Sequence, residues 1–256
     1  MLARPLAVAL AAVTLLLAGC VGTPDPEPTE PPTASATPTE SATPTPTPTP
    51  TPTFDSSAQS IDDPNSTWVV VNKLRPLNPA DYTPGDLVDV PVPFANPPQL
   101  RREASDAVVA MFATASAEAG LQMQSQSAYR SYPTQVTVYN RYVSERGQAG
   151  ADLTSARPGH SEHQTGLSID ISSVPANCSL AACFGETPHG QWLAANAYRF
   201  GFILRYPADK TPVTGYEYEP WHFRYVGVPL ATEMHTKGIT TLEEFFGLPP
   251  APGYAG

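Results

Sequence analysis

Apolar residues recur at helical spacing along residues 99–119, where Ala107, Val108, Met111, Phe112 and Ala115 share a face and Gly120 supplies a stop. Residues 121–126 switch to period two, Leu121, Met123 and Ser125 alternating with glutamines, which predicts a strand. The spacing predicts a helix over 134–146 that ends at Gly147, a strand over 166–171 with apolar and polar positions alternating, and a short helix over 190–198 closed near Gly201. Short apolar runs at 68–71, 202–204 and 223–226 predict further strands, and 241–246 a terminal helix. Between 72 and 98 prolines punctuate the chain, and residues 229–256 carry no usable motif. Helices and strands mix without the regular alternation that a doubly wound parallel sheet requires, so the pattern predicts an α+β fold.

The first 60 residues are a different material. Arg4 precedes an apolar run from Leu6 to Ala18, too short to span a bilayer comfortably and of the length of a signal-peptide core. It ends in Leu17-Ala18-Gly19-Cys20, which resembles the bacterial lipobox, in which the cysteine receives a lipid. That resemblance implies a signal peptide over 1–19, lipidated Cys20 as the mature N-terminus, and attachment to the outer face of a bacterial cell membrane. A diacylglyceryl group supplies the two chains that stable anchoring needs. Residues 21–60 are Thr, Pro, Ser, Ala and acidic residues, with 11 of the chain's 31 prolines between 24 and 52. Little there can be buried to offset the entropy of ordering, and the alternating prolines bias the chain toward an extended spacer. At about 3.1 Å per residue it reaches on the order of 100 Å. Residues 61–256 then remain, enough for one domain with a core of its own.

Charge and cysteines narrow the chemistry. The chain carries 14 Lys and Arg against 24 Asp and Glu, and no Lys or Arg lies between Arg4 and Lys73. The acidic balance argues against nucleic acid as a partner, because phosphate contacts need clustered cations. With Cys20 assigned to lipid, Cys178 and Cys183 remain, and outside the cytoplasm so close a pair is expected to oxidise to a disulfide that braces a loop.

Three of the five histidines fall in two polar clusters: residues 157–170, with His160, His163 and Asp170, and residues 217–222, with Glu217, Glu219 and His222. Imidazole and carboxylate together suit zinc, and two His with one acidic ligand leave a coordination position open, as catalytic sites do. Spacing alone does not single out a family. The surrounding words do. Ser161-Glu162-His163-Gln164-Thr165-Gly166-Leu167-Ser168-Ile169-Asp170 matches the pattern Ser-x-His-x-x-Gly-x-x-x-Asp, and Glu219-Pro220-Trp221-His222 matches Glu-x-x-His. Tyr129-Arg130-Ser131-Tyr132 with Gln135, the run from Gly201 to Pro207, and the lead-in Asn72-Lys73 match as well. From about 67 to 228 the chain resembles the VanY-type D-alanyl-D-alanine carboxypeptidases, zinc peptidases grouped with lysostaphin and the hedgehog signalling domain.

The resemblance implies one domain built on a small antiparallel sheet flanked by helices. It implies that His163, Asp170 and His222 bind Zn2+, that Glu219 is the catalytic base, and that Arg130 holds the carbonyl oxygen as it gains charge or binds the substrate carboxylate. Ser131, Gln135, Ser161 and Tyr206 match positions that contact the terminal residue. His160 is expected to support the loop rather than ligate, Trp221 to pack under the site, and Glu217 to do nothing chemical. The implied activity is removal of the terminal D-alanine from peptidoglycan stem peptides; the chain is expected to act as a monomer. The alternatives are an L,D-carboxypeptidase acting on tetrapeptide stems, or a wall-binding zinc domain without catalysis.

Overall fold

The computed structural model describes residues 54–255. The expected signal peptide, the lipid on Cys20 and most of the spacer fall outside them. Packing begins before the expected domain start at 61: Phe54 stacks on Trp68, ring centroids 5.5 Å apart, and meets Phe245 edge-on.

A two-stranded ribbon comes first, β1 (Leu87–Asp89) against β2 (Gln99–Arg101), antiparallel with Val88 opposite Leu100. Leu100 is fully buried, and this pairing takes residues 99–101 from the expected helix, so α1 runs Arg102–Ala119. Its buried face is Ala104, Ser105, Val108, Met111, Phe112 and Ala115; Ala107 lies at the edge. Next are β3 (Met123–Ser127) and α2 (Tyr132–Thr154). Gly147, with φ 71°, breaks α2 as expected, but the chain re-enters helix beyond it.

A 3-10 turn, Glu162–Thr165, leads into β4 (Ser168–Ser173). Then follow a 3-10 turn (Ala182–Glu186), α3 (Pro188–Asn196), a 3-10 turn (Ala197–Phe200), β5 (Phe202–Leu204), a short α4 (Thr211–Thr214), β6 (His222–Tyr225), α5 (Val228–Lys237) and α6 (Leu242–Phe245). The helix α5, which no motif announced, buries Leu230, Ala231 and Met234. Cys178 and Cys183 are bonded, with Cα atoms 5.6 Å apart. Among the described residues no helix is long and apolar enough to cross a membrane.

β3, β4, β6 and β5 form one antiparallel sheet in that order. Leu167, Ile169, Ile171 and Phe223 enter the main core with the buried face of α1. A second cluster gathers Trp68, Val70, Ile203, Val226 and the α5 residues.

Residues 68–71 form no strand: Trp68 lies in a turn that the Val69 amide closes on the Ser66 carbonyl. Their side chains alternate between the two cores, so both faces are covered. Their backbone is satisfied by side chains and a loop instead of a ladder. Arg224 donates to the carbonyls of Thr67 and Val69, Arg75 donates to that of Val70, and the Val70 amide bonds to Ile61.

Candidate active site

Side chains alternate across a sheet, so β4 and β6 have a second face opposite the core. The register places Asp170 opposite His222 and Ser168 opposite Arg224 on that face. Both strands belong to the middle of the sheet, and loops cover the polar face, so these polar residues are buried. His163 arrives from the 3-10 turn immediately before β4. Gly166 closes that turn with φ 67°, and a Cβ there would stand 2.8 Å from Leu87 Cδ2. Position 166 therefore favours glycine for its conformation, and a side chain there would also push the Leu87 and Arg101 side chains aside.

His163, Asp170 and His222 are all buried, with ligand atoms within 4.8 Å of one another. His163 Nε2 lies 3.3 Å from Asp170 Oδ2, and His222 Nδ1 lies 3.2 Å from Asp170 Oδ1. Four-coordinate zinc with ligands at about 2.0–2.1 Å sets neighbouring ligand atoms roughly 3.3 Å apart. The far nitrogen of each imidazole meets an acceptor: His163 Nδ1 the carbonyl of Ala128 at 2.7 Å, His222 Nε2 the carboxylate of Glu162 at 3.4 Å. With those far nitrogens protonated, the near nitrogens beside Asp170 are the ones a zinc ion would take in place of a proton, and the donor set fits such an ion.

Electrostatics point the same way. Burial opposes a charged ring at His222, but the Asp170 and Glu162 carboxylates outweigh it and raise the group to about 9. The carboxylate cluster therefore favours a cation in its midst. Burial pushes the carboxyl of Glu219 up to about 8, against the pull of neighbouring His222. Its Oε2 lies 3.9 Å from His222 Nδ1, and its backbone N–H donates to the carbonyl of Tyr206.

These groups open on a cavity of about 510 Å³. The three candidate ligands, Glu219 and Arg130 all line it, and so do Ser161, Tyr206 and Trp221. Arg130 donates to Gln135 Oε1 at 2.9 Å and Ser127 Oγ at 3.1 Å, and its backbone N–H donates to His163. Tyr206 leans on the His222 ring, centroids 4.8 Å apart.

Two of the expected substrate contacts do not line the cavity. Ser131 is the N-cap of α2, accepting from the Thr134 amide. Gln135 is fully buried behind Arg130, its amide donating to Ala156 and Ser155. His160 turns away, its Nδ1 on the carbonyl of Asn72 and its ring against Tyr254. Glu217 contributes a backbone bond to Leu153.

In the sequence pattern Glu162 is only the unspecified residue between Ser161 and His163. It is fully buried among Arg205, Arg224 and His222. The signal available was a pair of arginines, Arg205 directly after one predicted apolar strand and Arg224 within another, each of which needs an anion once buried.

The family model for D-alanyl-D-alanine carboxypeptidase, VanY, matches residues 97–228. The protein YodJ of Bacillus subtilis (strain 168) is 44% identical over 193 residues, covering 73% of this chain and 70% of its own. Among solved structures, the LD-carboxypeptidase LdcB, described for its recognition of peptidoglycan, is 42% identical with a TM-score of 0.66, over 72% of this chain and 87% of its own. The vancomycin-resistance D,D-pentapeptidase VanY from the VanB-type cassette, solved with Zn(II), is 32% identical with a TM-score of 0.60, over 71% of this chain and 99% of its own.

Proposed function

Since the chain belongs to the VanY family of D-alanyl-D-alanine carboxypeptidases, we propose that it is a zinc-dependent D,D-carboxypeptidase that releases the terminal D-alanine of peptidoglycan pentapeptide stems. The observation that carries this reading is the convergence of His163, Asp170, His222, Glu219 and Arg130 on one cavity. His163 through Nε2, His222 through Nδ1 and the Asp170 carboxylate would hold the zinc. Zinc there supplies Lewis-acid chemistry, polarising a carbonyl and making water easier to deprotonate.

The protein's own groups do the rest. Glu219, in its ionised form, takes a proton from the attacking water and delivers it to the leaving amine of the D-alanine. Burial raises its affinity for that proton, and a dication among its neighbours draws it back toward ionisation. Arg130 has five N–H donors, of which Gln135 and Ser127 take two; the guanidinium can meet the carbonyl oxygen as charge develops or the terminal carboxylate. Ser161 and Tyr206 shape the wall around the terminal residue. Gln135 acts through Arg130.

Glu219→Gln is expected to lower turnover about 10²–10⁴-fold while zinc content stays at wild-type level; near-normal turnover would sink the mechanism. Chelation should abolish hydrolysis and added zinc restore it.

A second reading, L,D-cleavage of tetrapeptide stems, is favoured by the 42% identity with LdcB, above the 32% with the D,D-pentapeptidase. Mass spectrometry of products from defined pentapeptide and tetrapeptide stems decides between them, by which stem loses one alanine. We also propose that Cys20 carries lipid and that residues 21–53 hold the enzyme away from the membrane. A Cys20→Ser chain should then leave the membrane fraction.

A further inference from the structure

One carboxylate beside the site has no part in the chemistry above, and every bond it makes is resolved. Glu162 Oε1 accepts from Arg205 Nε at 2.8 Å and from Arg224 Nη1 at 2.9 Å. Its Oε2 accepts from the Ser168 hydroxyl at 3.4 Å and faces His222 Nε2 at the same distance. Neither arginine can turn elsewhere. Arg224 gives its other N–H groups to the carbonyls of Thr67, Val69 and Tyr225. Arg205 gives its other two nitrogens to the Glu243 carboxylate at 2.9 and 2.7 Å.

We infer that Glu162 is the positioning residue that fixes the tautomer of His222, and with it which nitrogen His222 presents to the metal. This rests on the zinc reading above. A carboxylate clamped by two guanidinium groups has only acceptor capacity left, so the nitrogen facing Oε2 must carry the proton. When zinc displaces the second proton of the ring, the proton held on Nε2 leaves Nδ1, the atom beside Asp170, as the nitrogen open to the metal. Ligating histidines are held in this way by the partner of their other nitrogen, and loss of such partners costs about 10–100-fold in metal affinity.

Glu162→Gln separates this role from mere packing. The glutamine has nearly the same shape, but it must keep its oxygen on the two arginines. Its NH2 then points at His222 Nε2, donor against donor, and favours the tautomer with the proton on Nδ1, where it blocks the metal. The readouts are zinc affinity, measured by competition with a chromogenic chelator, and unfolding of the metal-free protein. The expected result is a zinc affinity about 10–100-fold weaker in a folded variant. A residue that only packs would lower the stability of the metal-free protein and leave zinc affinity where it was, and that result overturns the proposal.

If the variant does not fold, the wild type decides. In the zinc-loaded protein, 15N–1H correlation of the His222 ring should show the proton on Nε2 and none on Nδ1. A proton on Nδ1 overturns the assignment. A wild-type chain that takes up no zinc overturns the metal reading itself, which is a different failure from unchanged affinity in the variant.

Discussion

Arg130 shows how one side chain is placed for work. Its backbone N–H is tied to His163 and its guanidinium to Gln135 and Ser127, so its direction is set before a substrate arrives. Lysine has no planar fork and could not reproduce both contacts and a third to an oxyanion. Arg130→Lys is therefore expected to lower kcat/KM by about 10²–10³-fold with zinc content unchanged. Gln135→Ala should act in the same direction and by less, since it frees the guanidinium without removing it. Steady-state kinetics on one defined stem peptide would show both, and a Gln135→Ala enzyme with wild-type kinetics would refute the positioning role. At this scale the sequence was legible for residues inside spaced motifs, because the spacing itself is set by strand and turn geometry. It was not legible for the difference between Arg130 and Gln135. Both stand in one motif, and only the fold shows that one lines the cavity and the other lies behind it.

The turn between residues 161 and 166 is the element on which the site depends. It sets Ser161 on the cavity wall, Glu162 between two arginines and His163 beside Asp170, and it is closed by Gly166 in a left-handed conformation. An L-residue there costs about 1–2 kcal/mol from conformation, and its Cβ also meets Leu87 and Arg101. Gly166→Ala is expected to lower stability by at least about that amount in urea unfolding, and to weaken zinc binding by shifting His163. A variant as stable as the wild type would contradict the close approach. The strands on either side explain what pattern reading could and could not reach. Leu167, Ile169 and Ile171 mark β4 by alternation. The same rule assigns Ser168 and Asp170 to a solvent face, yet that face is buried under the loops that hold Glu162. Residues 68–71 carry the opposite lesson: alternation and apolar character are real, but the backbone partners are the Arg224 and Arg75 side chains, which no local pattern announces.

Across the whole molecule, a chain of buried charges joins the site to the C-terminal end. Glu162 bonds Arg205, Arg205 bonds Glu243 at the start of α6, and Glu243 accepts from Asn72 in the lead-in segment. Four distant stretches are thus held by groups that cannot be left unpaired without cost. Residues 229–256 carry no motif because their contribution is scattered: α5 packs an apolar face into the second core, Tyr254 packs on His160, and the Glu243 carboxylate meets a partner 38 positions earlier. Burial opposes the charge on Glu243, but Arg205 and Asn72 outweigh it and hold its carboxyl below 4.5. Its folded value is therefore the lower one, so the stability it lends is complete above pH 4.5 and is lost as pH falls through that folded value. Glu243→Gln, which leaves Arg205 short of an anion, should cost about 3–5 kcal/mol at pH 7. The gap from wild type should narrow on acidification below the ordinary carboxylate value, where the unfolded chain takes up a proton that folded Glu243 still resists. Urea midpoints from pH 7 to pH 3 measure this, and a gap that does not change with pH would remove Glu243 from the acid response. Zinc affinity should move less than in Glu162→Gln, because Glu243 touches Arg205 and not His222. That ordering separates the residue that sets a ligand's tautomer from one that holds the frame around it.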